Sequence, residues 1–104
     1  MQSKMVRVGL LVRLVAKPGK ESVVAEFLAG ALPLAQAEPA TVTWFALRLS
    51  SNEFGIFDAF PDDQGRSVHL NGPIAAALLA NAAELLSEPP KIERVDALAS
   101  KMPG

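Results

Sequence analysis

The chain has 104 residues, half of them apolar, with 10 Lys and Arg against 11 Asp and Glu and no cysteine. That length is one domain's worth, taken here as residues 1–104. Charge this even and this scattered offers no track for a nucleic-acid backbone. The lack of thiols excludes disulfides and thiolate metal centres.

Residues 6–16, "VRVGLLVRLVA", alternate with period two. Val6, Val8, Leu10, Val12 and Leu14 share one side, and the β-branched content predicts a strand. Arg7 and Arg13 interrupt this apolar start, and no run approaches a membrane span, so no membrane partner is expected and the expected location is cytoplasmic. Pro18-Gly19 predicts a turn into a helix. There Val23, Val24, Phe27, Leu28 and Ala31 recur at helical spacing, with Glu21 in the first turn, where the helix dipole favours an acid. Pro33 predicts a kink or an end, and Pro39 a stop.

Residues 41–50, "TVTWFALRLS", and 54–60, "FGIFDAF", are rich in β-formers and joined by a short polar link, which predicts a hairpin. Asp62 or Asp63 can cap a short helix through Leu70. Gly72 stops it, and Pro73 suits the first turn of another. Ile74, Leu78, Leu85 and Leu86 form the apolar face of that second helix, and its alanines permit close packing. Residues 91–100 predict a final strand.

The order βαββαβ predicts an α+β, ferredoxin-like domain: one four-stranded antiparallel sheet with helices on one face. The other sheet face carries Trp44 or Phe45, and Ala59 or Phe60, depending on register. Either choice leaves apolar side chains uncovered. Together with the high apolar content of a small chain, this predicts a homodimer, in which a partner sheet covers the face and leaves room for a ligand.

The strand ending in "KPGKES", the strand "TWFALR", the segment "FGIFDAFPDDQGRSVHLNGPIAAAL" and the closing "IERVDALASK" resemble the antibiotic biosynthesis monooxygenase (ABM) family. The resemblance covers nearly the whole chain. It implies a dimeric α+β barrel and cofactor-independent oxidation of a small aromatic, quinol- or anthrone-like, by O₂. The substrate anion itself reduces oxygen, and the protein desolvates, orients and removes a proton. The superfamily also holds haem-degrading enzymes, which use an asparagine on the first strand and a tryptophan at the end of the third. This chain has no asparagine in 6–16 and has Phe60 at the other position, so haem is not expected.

His69, the only histidine, is the candidate general base, with a helix-end hydrogen bond near Asn71-Gly72 as the structural alternative. Asp58, a carboxylate amid apolar neighbours, is the second catalytic candidate, or else half of an ion pair with Arg13, Arg48 or Arg94. Trp44 and Phe60 are candidate aromatic contacts for a substrate, and Arg13 and Arg48 candidate polar ones. No metal site is expected from one histidine and no cysteine, no nucleotide-binding motif is present, and the resemblance implies no bound cofactor. The alternative function is a non-catalytic dimeric module that binds a small apolar molecule or a partner.

Overall fold

The structure, a computed structural model, describes residues 5–103. In chain order it contains β1 (Val8–Val15), α1 (Glu21–Gly30), α2 (Leu32–Gln36), β2 (Thr43–Arg48), β3 (Glu53–Phe60), α3 (Asp63–Leu70), α4 (Pro73–Leu85) and β4 (Lys91–Asp96). The strands form one antiparallel sheet in the order β2-β3-β1-β4. This is the ferredoxin-like arrangement expected from the element order. Among the described residues no helix is long and apolar enough to cross a membrane.

Local chemistry accounts for the boundaries. Gly19 takes φ +85° after Pro18, a conformation open to glycine at little cost, and so turns β1 into α1. Pro33 falls in the first turn of α2, where its missing N–H is harmless, so the expected kink appears as two helices separated at Ala31. Asp62 caps α3, its Oδ1 accepting from the Gly65 N–H at 2.9 Å. Pro73 opens α4. The final strand is shorter than expected: β4 ends at Asp96. Residues 97–103 leave it in irregular conformation, held by the Ala97 N–H on the Arg7 carbonyl at 2.9 Å.

Register decides the two sheet faces. Leu10 lies opposite Asp58, and Asp58 opposite Trp44. Leu10, Val12 and Leu14 of β1 therefore share the helix-covered face with Phe54, Ile56, Asp58 and Phe60 of β3. Val12, Leu14, Phe54 and Ile56 pack there against Val24 and Leu28 of α1 and Leu78 and Leu85 of α4. Phe45, Leu47, Phe57 and Ala59 take the other, free face. Phe45 is 54% exposed, and Leu47 and Leu49 are exposed beside it.

Candidate functional site

Two places in the fold are candidate sites, and the sheet separates them. The first is a polar cluster inside the helix-covered layer. Asp58 projects into it from β3 and His69 from α3, and Glu38 enters from the loop after α2. His69 Nδ1 lies 2.6 Å from Glu38 Oε1, and His69 Nε2 lies 2.9 Å from Asp58 Oδ2. Thr41 Oγ1 donates to the same Glu38 oxygen at 2.7 Å. The side chains of Asp58, His69 and Glu38 are 0%, 7% and 14% exposed. Phe60, wholly buried, sets its ring 5.4 Å from that of His69 and tilted by 43°. The Asp58 approach is close enough for an ion pair but lies off the line of a ring N–H bond, and Asp58 Oδ1 has no polar partner.

Glu38 reaches this position because the backbone is narrow there. A Cβ on Gly72 would stand 3.2 Å from Glu38 Oε2 and 3.2 Å from the His69 carbonyl oxygen. The glycine that ends α3 thus lets the 38–41 loop close over the helix end.

The electrostatics follow from burial. Desolvation raises the Asp58 carboxyl above its ordinary value, and contact with His69 only partly offsets this. For His69, burial disfavours the imidazolium, but Asp58 and Glu38 together outweigh it and raise its pKa above 6.5. A carboxylate stands at each ring nitrogen. The cluster ties a loop, a helix and a strand together, and His69 has no lone pair free to take a proton from a ligand.

The sequence-derived candidates distribute unevenly. His69 and Asp58 do meet. Asp58 takes His69 as its partner, not Arg13, Arg48 or Arg94: Arg13 lies on the other sheet face, Arg48 at the far end of β2, and Arg94 two strands away across Leu10. His69 bonds carboxylates, not a carbonyl near Asn71-Gly72. Phe60 is sealed in the core against His69. Arg13 lies half-exposed on the free face beside Glu93, at 3.7 Å. Arg48 lies over the Phe54 ring, 4.8 Å from its centroid, in a shallow cleft with Ala25, Ala29 and Leu47. Neither arginine joins the cluster or the cavity described below. Sequence reading missed Glu38. Its signal was a lone histidine needing partners and an acid placed just before Pro39. It also missed Arg66, buried on α3, which donates to the Gly9 and Val95 carbonyls at 3.2 and 3.3 Å and pairs with Asp63 one turn earlier. Among the described residues no group of His, Cys, Asp or Glu side chains converges to hold a metal ion.

The second place is a cavity of ≈ 470 Å³ on the free face. Phe45 and Phe57 supply its aromatic wall, Val6, Val42 and Ala59 its floor, and residues 97–103 its rim. That C-terminal segment crosses from β4 toward β2, where Thr43 Oγ1 meets Met102 Sδ at 3.5 Å. Trp44, the other aromatic candidate, touches the edge of this space, but opposite Asp58 its register puts it on the helix-covered face, packed against Ala31, Ala35 and Ile74. Its Nε1 is buried without a partner. Lys101 is the single ionisable residue of the lining, accompanied by the hydroxyl-bearing Thr43 and Ser100.

No family model and no curated protein matches the chain. Solved structures do. A protein of unknown function from Nitrosomonas europaea, NE2512, is similar at 59% identity with a TM-score of 0.95, the match covering 98% of this chain and 99% of that one. A candidate antibiotic biosynthesis monooxygenase from the same organism matches at 15% identity and TM-score 0.79, over 94% of this chain and 96% of its own. Another such candidate, from Chloroflexus aurantiacus, matches at 14% identity and TM-score 0.72, over 94% and 99%. At these lower identities the likeness is one of fold.

Proposed function

This chain belongs to the family of the Nitrosomonas europaea NE2512 protein and has the ABM-like fold, and we propose that it oxidises a small aromatic molecule with O₂ in the free-face cavity, without a bound cofactor. The observation that carries this reading is the cavity itself. Its size is within the usual range for small-ligand sites, about 300–1,000 Å³, and its walls are apolar and aromatic. For an anthrone-like substrate the ring methylene loses both hydrogens and gains one oxygen atom as a carbonyl. The second oxygen atom leaves with those hydrogens as water, so the substrate supplies all the electrons. What the site contributes is desolvation and orientation, with Phe45 and Phe57 as the surfaces against which a flat ring lies. A second copy of the chain completes the arrangement: it covers Phe45, Leu47 and Leu49 and closes the cavity from the solvent side.

One observation favours a second reading, ligand binding without chemistry. The histidine–carboxylate cluster is sealed on the opposite side of the sheet, so the cavity has no histidine or carboxylate base. Oxygen uptake with a reduced naphthoquinol or anthrone separates the two. Oxidation predicts uptake above the spontaneous rate that Thr43→Trp, which fills the cavity, abolishes. Ligand binding with uptake at the spontaneous rate for every quinol and anthrone tried would leave the binding reading standing.

A further inference from the structure

We infer that Glu38 is a proton-operated latch: it clamps the loop after α2 to the end of α3 while His69 carries a proton on both ring nitrogens, and it turns out to solvent and frees the loop when one of them leaves. The latch does not depend on what the cavity binds.

The three members of the cluster are not equally free to move. Asp58 is wholly buried in β3, with Leu10 opposite it on one side and Trp44 on the other. His69 belongs to α3 and lies against Phe60. Glu38 alone is on a loop, with its side chain partly exposed. The backbone bonds of that loop are local: the Glu38 N–H reaches the Ala35 carbonyl at 3.1 Å, and the Thr41 N–H the Glu38 carbonyl at 3.2 Å. Its first backbone tie to the sheet is the Val42 N–H on the Ala59 carbonyl, at 3.1 Å. Among the described residues the Glu38–His69 contact is the one polar link from this loop to α3. The loop runs directly into Val42 and Thr43, which line the free-face cavity, so the latch stands at one margin of that cavity.

An imidazolium offers one N–H to each carboxylate, Nδ1 to Glu38 and Nε2 to Asp58. A neutral imidazole has one N–H for two carboxylates, and its other nitrogen turns a lone pair toward an anion. One carboxylate then has to leave. Asp58 is held by strands on both sides and has no path to water, whereas Glu38 regains its hydration by rotating outward. No other charge takes its place. Asp58 from β3 and Glu38 from the loop are the charged groups that face His69. Arg13, the one ionisable residue of β1, lies on the opposite sheet face. Helix α2 has no ionisable residue, and α4 has none before Glu84, near its far end. On α3 itself, Arg66 is taken up by the Gly9 and Val95 carbonyls and by Asp63. Burial opposes the imidazolium, but the two carboxylates outweigh it and hold its proton above the ordinary pKa of 6.5, so release falls above that pH.

The test follows the His69 ring by NMR and amide hydrogen exchange in the same pH series, with each exchange rate divided by that of an unstructured chain. As the ring loses its proton, the protection of the Thr41 and Val42 amides should drop at least about tenfold, the loss expected from one hydrogen bond to a charged group. Both amides then exchange faster than those of the β1–β3 ladder. Glu38→Gln keeps an acceptor for His69 and Thr41 without the charge, and in it the protection no longer changes as the ring titrates. Glu38→Ala leaves both amides poorly protected at every pH. The inference is overturned if Thr41 and Val42 keep their protection through the His69 titration, if they never exchange faster than the ladder, or if Glu38→Gln retains the drop.

Discussion

Replacing His69 by alanine tests whether the buried cluster holds the fold together. The substitution removes the only partner of Asp58, a carboxylate that is 0% exposed and whose second oxygen already has none. Glu38 suffers less, since it keeps Thr41 and touches solvent. The cost therefore concentrates on Asp58, and stripping one member from a buried ion pair costs about 3–5 kcal/mol. For a domain whose whole stability is about 5–15 kcal/mol, that is a large fraction. At a shift of roughly 4–8 °C per kcal/mol for a chain of this size, the smaller figure already lowers Tm by about 12 °C or more. Urea titration followed by the fluorescence of Trp44, the only tryptophan, measures the change. Protein concentration is held fixed, because association would raise the apparent stability. Asp58→Leu combined with His69→Leu removes both charges together and recovers most of the loss. A His69→Ala cost below about 1 kcal/mol, additive with that of Asp58→Leu, would refute the coupling.

The same cluster predicts a pH dependence. The raised His69 pKa means that the folded state binds its proton more tightly than the unfolded chain does, so this contribution is complete below pH 6.5 and fades as pH rises through the folded value. The raised Asp58 pKa acts in the same sense, starting from its ordinary value of 3.8. Wild-type stability should fall as pH rises above 6.5, and His69→Gln should flatten that slope; equal slopes in chemical denaturation would contradict the assignment. Gly9→Ala would place a Cβ 2.7 Å from the Asp58 carbonyl oxygen across the β1–β3 ladder, where the obstacle is backbone. Overpacking of this kind costs about 1–3 kcal/mol, readable as a lower urea midpoint. On the free face, Phe45→Glu should convert a sedimenting dimer to monomer at micromolar concentration; a wild type already monomeric there would remove the second copy from the proposal.

Much of the scaffold was legible in residue order alone. The period-two runs, the Pro18-Gly19 turn, the Asp62 cap and the Gly72-Pro73 break each act through neighbours a few residues away. Such local preferences determine where strands and helices begin and end, and their order restricts the sheet to a ferredoxin-like arrangement. The end of β4 was read too late because no glycine or proline marks a stop in residues 97–100, while the pairing with β1 runs out at Asp96 opposite Val8.

What the tertiary structure decided was which groups meet. Alternation left Trp44 and Phe45 equally eligible for either face, and only the pairing of Asp58 with Leu10 and Trp44 resolved them. Glu38 and His69 stand 31 residues apart, and no local pattern marks their contact. Arg66 reaches carbonyls on two strands distant from it in the chain. Burial and charge pairing are properties of three-dimensional neighbourhoods, so the sequence could nominate His69 and Asp58 as unusual, while only the folded chain could show them joined to each other and walled off from the cavity.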